Sequence, residues 1–198
     1  MQTPTSHYTY DSFLDWCKKL LLAPPIYDEK YNVYIPLNIK RMERINKTVE
    51  IEDADKTFYA QIAKPQKWVV ITEPWCGDSA QNLPILAKIV EESKSKIDLQ
   101  IILRDENPEW IDRFLTNGSK AIPKLIAMDD NNQVLFTWGP RPDAAQIISD
   151  KWKENKETIS WEDFEKEMHT WYAHNKGVDT LSEIKSLIDN ADNDKENI

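Results

Sequence analysis

Trp68-Val69-Val70-Ile71-Thr72-Glu73-Pro74-Trp75-Cys76-Gly77-Asp78-Ser79 is the stretch on which the fold turns. Its first four residues are a short continuous apolar run, suited to a β-strand buried on both faces. Beyond Glu73-Pro74, Leu83, Leu86, Ile89 and Val90 recur at helical spacing, so a strand empties directly into a helix. Cys76 stands at the start of that helix. There the free N–H groups and the helix dipole favour a thiolate, the form of cysteine that attacks disulfides, peroxides and electrophiles. Ser79 is placed three residues on, within reach to donate a hydrogen bond to the sulfur. Asp78, in the same first turn, favours the helix but opposes a nearby thiolate. The expectation is a moderately acidified Cys76.

The chain after this unit alternates in the same way. Ile97, Leu99, Ile101 and Leu103 read as a second strand, and Asn107-Pro108 opens a helix with Trp110, Ile111, Phe114 and Leu115 on its face, ended by Asn117-Gly118. Leu125–Met128 and Val134–Trp138 form a hairpin across Asp129-Asp130-Asn131-Asn132. The order βαβαββ predicts a mixed sheet with helices on its faces, an α/β protein.

Flanking segments are helical. Phe13, Trp16, Cys17, Leu20 and Leu21 make an apolar stripe stopped by Pro24-Pro25, and two short helices follow between Pro36 and Ala63. Cys17 on that stripe reads as a small buried hydrophobe. After Gly139-Pro140-Arg141-Pro142 come three more helices: one with Ala144, Ile147, Ile148 and Trp152, and two opened by the capping boxes Ser160-x-x-Asp163 and Thr180-x-x-Glu183. Asn190 to Ile198 reads as polar and frayed. The organisation predicted is one domain, with an N-terminal helical extension (1–63), a core (67–142) and a C-terminal helical extension (143–198).

Composition narrows the function. The chain has 198 residues and a formal net charge of −9, with a mean hydropathy of −0.63 and a pI near 4.9. That charge argues against a nucleic-acid partner. No apolar run reaches membrane-spanning length and the N-terminus lacks a secretory pattern, so a cytoplasmic location with no membrane partner is expected. Two cysteines are too few for a disulfide scaffold or a thiolate zinc site. Glu165 and His169, four apart on a helix, lack a third metal ligand because His174 is out of phase, and they read as a solvated face. No metal site is expected, and no cofactor. Of the eight tryptophans, Trp16, Trp110, Trp152, Trp161 and Trp171 lie on apolar stripes and read as packing.

The segment from about Lys67 to Pro142 resembles thioredoxin. Trp75-Cys76-Gly77 matches the family's Trp-Cys-Gly-x-Cys, with Ser79 in place of the second cysteine. Pro84 stands where the family has the proline of its active-site helix, Ala121-Ile122-Pro123-Lys124-Leu125 resembles Gly-Ile-Pro-Thr-Leu, and Gly139 matches a family glycine after the last strand. The resemblance implies a three-layer α/β/α thioredoxin-like fold with a mixed central sheet. It also implies a cis proline at Pro123 beside the sulfur, an Ile122 backbone that pairs with an extended substrate, and a Trp75 that shields Cys76. The family's buried acid is replaced by Val70, which fits the loss of the resolving cysteine. A monothiol redox protein is implied, in which Cys76 attacks a protein disulfide or a small oxidised thiol and an external thiol reductant resolves the product. Two alternatives stand beside it. One is a thioredoxin-fold binding module that has retired the chemistry. The other is a monothiol-glutaredoxin-like binder of glutathione or an iron–sulfur cluster, disfavoured by Trp75 and by the lack of paired glycines in Trp138-Gly139-Pro140-Arg141. Arg141 itself reads as solvated.

Overall fold

The computed structural model of the chain describes residue 4 and residues 6–193. Helices α1 (Tyr10–Leu20), α2 (Glu29–Asn32), α3 (Ile35–Thr48) and α4 (Asp53–Ala60) precede strand β1 (Gln66–Thr72). Then follow α5 (Gly77–Glu92), β2 (Ile97–Leu103), α6 (Pro108–Ile111), β3 (Lys124–Met128), β4 (Val134–Trp138), α7 (Asp143–Glu154), α8 (Trp161–Asn175) and α9 (Val178–Asn193). The strands form one sheet in the order β2-β1-β3-β4. β1 runs parallel to β2, and β3 is antiparallel to both β1 and β4. The sheet is therefore mixed, and helices cover both of its faces.

Alternation along β1 divides the core. Trp68 and Val70 join Leu99, Ile101, Leu125 and Ala127 on one face, and Phe13, Cys17, Ile39, Leu83, Ile184 and Ile188 from α1, α3, α5 and α9 pack against them. Val69 and Ile71 point the other way, with Ile102, Ile126, Trp110 and Cys76. Each fully buried side chain of this size contributes about 1.5–3 kcal/mol of transfer free energy. The sheet is thus anchored to helices from both termini, and the sulfur of Cys76 faces the less covered side.

Three local readings change. α6 is one turn, not the longer helix the stripe through Leu115 suggested: Leu115 is exposed, and the chain turns through a Thr116–Ser119 bridge with Asn117 and Gly118 at positive φ. Only Trp110 and Ile111 are fully buried there, so one turn suffices. α9 begins before Thr180, whose hydroxyl donates to Asn82 Oδ1 at 2.8 Å instead of capping. Ser160 does cap α8, accepting from the Asp163 N–H at 3.0 Å. Residues 190–193 are helical, and the rest of the expected frayed tail lies outside the described residues.

The C-terminal helices do not all join the main core. α9 does, through Ile184 and Ile188. α7 and α8 instead make a small cluster of their own, in which Ala145, Phe164, Met168 and Tyr172 pack with Trp152 and Trp171. Their hold on the rest of the protein is largely polar, and it falls on the Cys76 loop.

Candidate functional site

Cys76 is the N-cap of α5, with an extended backbone that lets its sulfur accept from the Ser79 N–H at 3.4 Å. The thiol donates to the Ile122 carbonyl at 3.2 Å. The Ile122-Pro123 peptide is cis, so β1, α5 and the turn before β3 meet at the sulfur. Ser79 is buried and accepts from the Thr72 hydroxyl at 2.6 Å. Trp75 stacks on Tyr31 at 4.4 Å between ring centroids and lies 4.9 Å beneath the Arg104 guanidinium. Of the residues singled out on this loop, Cys76 and Trp75 share a cluster with Ile122 and Ser79 meets the sulfur, whereas Gly77 and Asp78 turn toward His169, Tyr172 and Arg141.

The state of the sulfur corrects the expected acidification. Cys76 is 8% exposed. Burial pushes its thiol up to about 11, and the charge of Asp78 pushes the same way, against the hydrogen bonds from Ser79 and the more distant Arg141. Desolvation outweighs the helix terminus because the loop is covered. The sulfur packs among Ile71, Ile102, Trp110, Ile122 and Ile126, and α8 covers the next residue, with His169 lying against Gly77 beside Arg41 of α3: a Cβ added at Gly77 would sit 3.2 Å from the His169 ring and 3.5 Å from Arg41.

Asp78 is the centre of the seal. It accepts from Arg141 Nε at 3.1 Å, and from Arg141 Nη2, and from the Tyr172 hydroxyl at 2.7 Å. Asn82 donates to the Asp78 carbonyl at 2.9 Å and to Tyr172 at 3.1 Å, while Thr180 holds the Asn82 amide oxygen. Arg141 is therefore not the solvated side chain expected, since only 13% of it is exposed. An ion pair this buried is satisfied only because hydrogen bonds complete it.

Nor are Glu165 and His169 a solvated face. Gln81 donates its amide N–H to His169 Nδ1 at 3.2 Å, an orientation fixed by Arg44 bonding the Gln81 oxygen at 3.4 Å. The proton of the neutral ring then sits on Nε2. Burial, with Arg41's charge behind it, lowers His169 to about 4. Between about pH 6.5 and about pH 4 the unfolded chain therefore binds a proton that the folded protein refuses. Stability present above about pH 6.5 is lost as the pH falls through this window, by up to about 3 kcal/mol. Denaturant midpoints of wild type and His169→Gln should converge as the pH drops from neutral to about 4; parallel profiles would refute the buried neutral ring. Among the described residues no three His, Cys, Asp or Glu side chains cluster as metal ligands, and no helix is long and apolar enough to cross a membrane.

Several residues of the site carried no sequence signal. Asn38, inside the apolar stripe of α3, donates to the Pro74 carbonyl at 3.1 Å and accepts from Arg41 at 2.8 Å. Glu73 is buried, accepting from the Tyr27 hydroxyl at 2.8 Å and the Asp105 N–H at 2.9 Å, and burial holds its carboxyl above the usual range. Buried polar residues on an apolar stripe are a signal in retrospect. Cys17 is buried and unpaired, its thiol pushed up to about 12 by burial.

A thioredoxin family model matches residues 26–153. The chain belongs to the thioredoxin family. The matched stretch includes α3 and α4 before the sheet and α7 after it, more than the segment whose motifs resemble the family. Among solved structures, this thioredoxin-family chain is similar to a protein of unknown function from Pseudomonas aeruginosa, at 15% identity and a TM-score of 0.60. That match covers 93% of this chain and 99% of the other. It is also similar to an HIV epitope-scaffold, at 17% identity and a TM-score of 0.57, covering 81% of this chain and 92% of that one. Both likenesses speak to the fold. No curated protein matches it.

Proposed function

We propose that this thioredoxin-family protein carries out monothiol thiol–disulfide exchange through Cys76, and that the site is latent until α7 and α8 move off the loop. The observation that carries the reading is the sulfur itself, held at the N-cap of α5 by the Ser79 N–H and directed at the Ile122 carbonyl. In the opened state Cys76 loses its proton to water, and the thiolate attacks a partner disulfide. A Cys76–partner disulfide forms while the partner's other sulfur leaves as a thiolate. Ser79 cannot attack in turn, so an external thiol displaces Cys76 and restores the resting protein. Pro123 and the Ile122 backbone border the groove in which an extended substrate segment lies. The cytoplasm, where free thiols abound, suits such a protein.

The raised thiol favours a second reading, a binding module whose chemistry is retired. The substitution Ser79→Cys separates the two. The variant is expected to close an internal disulfide between Cys76 and the introduced thiol under mild oxidant, and to gain weak insulin-reducing turnover with dithiothreitol, slow because Val70 offers no base. A folded variant that forms no internal disulfide counts for the binding module.

A further inference from the structure

A second site lies away from the sulfur, around the last strand. Lys124 follows the cis proline and is 7% exposed, and among the described residues no carboxylate pairs with its ammonium, which burial lowers from its ordinary range. Its hydrogen-bond partner is the Thr116 hydroxyl at 3.2 Å, which leaves donors on the ammonium unspent. Burying a cation without a counter-charge is costly, the more conspicuously so in a chain whose net charge is −9.

Lys124 opens onto a cavity of about 440 Å³ between β4, the start of α7 and α9. That volume lies within the range of small-molecule sites, roughly 300–1,000 Å³, and is more than a single inorganic anion needs. Thr137 and Ser182 supply hydroxyl-bearing wall, and Trp138 and Leu187 apolar wall. Acidic side chains form another part of the lining. Glu183 accepts from the Trp138 indole at 2.7 Å and from the Asp143 N–H at 2.8 Å, and Asp143 is exposed beside it. The lining therefore combines an uncompensated cation with an acidic wall.

We propose that this cavity binds a small zwitterion: one acidic group, a carboxylate or a phosphate ester, on Lys124, and a cationic amine toward Glu183 and Asp143. A molecule with acids at both ends meets the acidic wall with one of them. Neither Cys76 nor Pro123 lines the cavity, but Arg141 does, with its guanidinium already committed to Asp78.

Nitrogen–proton NMR of the full chain tests this with γ-aminobutyrate, O-phosphoethanolamine, glutarate and acetate as probes. γ-Aminobutyrate or O-phosphoethanolamine should shift the Trp138 indole and Thr137 resonances saturably, and the tighter of the two names the acid as carboxylate or phosphate. Glutarate, with the same spacer as γ-aminobutyrate but a second carboxylate, should bind roughly tenfold more weakly. Acetate should bind more weakly than γ-aminobutyrate. Lys124→Met should abolish the shifts. Ser186→Phe, at an exposed position on α9, should block the cavity without touching the core, and it keeps the test decisive if Lys124→Met does not fold. Absence of saturable shifts with every probe, glutarate binding as tightly as γ-aminobutyrate, or shifts unchanged in either variant would overturn the site.

Discussion

Asp78→Asn is expected to destabilise the protein by about 3 kcal/mol, because it leaves the Arg141 guanidinium buried without its counter-charge. The pair is nearly enclosed, each side chain being 13% exposed. Tyr172 loses its charged acceptor in the same step. Breaking a buried pair from one side costs far more than replacing both partners, so Asp78→Asn combined with Arg141→Met should recover most of the loss. The single variant also acts on the sulfur. Asp78 is, after burial, the largest influence raising the Cys76 thiol, and its carboxylate tethers Tyr172 of α8. Alkylation of Cys76 should accelerate by at least roughly tenfold as charge and cover are removed together. Guanidinium midpoints and labelling rates provide the measurements. A variant within about 0.5 kcal/mol of wild type, the range of ordinary surface changes, would show that Asp78 does not hold the seal.

Gly139→Ala should cost at least about 3 kcal/mol for a different reason. Gly139 has φ +106°, where a side chain is strained, and an added Cβ would stand 2.3 Å from the Pro123 carbonyl oxygen. Strain of this kind is worth about 1–3 kcal/mol before any clash. The clash is with backbone, so relief requires β4 to move from the turn that carries Ile122 and Pro123. The thiol of Cys76 then loses its Ile122 acceptor. Thermal unfolding should show the destabilisation, with faster Cys76 labelling in the folded variant. A fully stable Gly139→Ala protein would mean that this close approach does not exist in solution.

The strand–helix unit around Cys76 was legible because its signals are local. A continuous apolar run, an apolar stripe and a cysteine at their junction require no knowledge of the rest of the chain. Pro84 and the Ile122-Pro123 pair could likewise be aligned to the family by spacing. The seal was not legible, and the reason is physical. His169 and Tyr172 lie on α8 among charged residues, and periodicity cannot tell a polar face that meets water from one that meets another polar surface. Arg141 looked solvated because its partner, Asp78, is 63 residues away in sequence. Thr180 illustrates the same limit: the pattern of a capping box was present, but Asn82 offered its hydroxyl a buried acceptor and the helix started earlier. α2, four residues long, is too short to generate periodicity at all.

Cys76 rests as a buried, protonated thiol, with α8 closing over the Gly77-Asp78 turn beside it. The most direct measurement is the pH dependence of iodoacetamide alkylation of Cys76 in a Cys17→Ala protein. The rate should still be climbing at alkaline pH toward a midpoint of about 11. At neutral pH labelling should be at least roughly a hundredfold slower than for a free cysteine, since both the thiolate fraction and access are reduced. A plateau reached at or below about pH 8.5, the value of an unperturbed thiol, would contradict a buried, protonated Cys76.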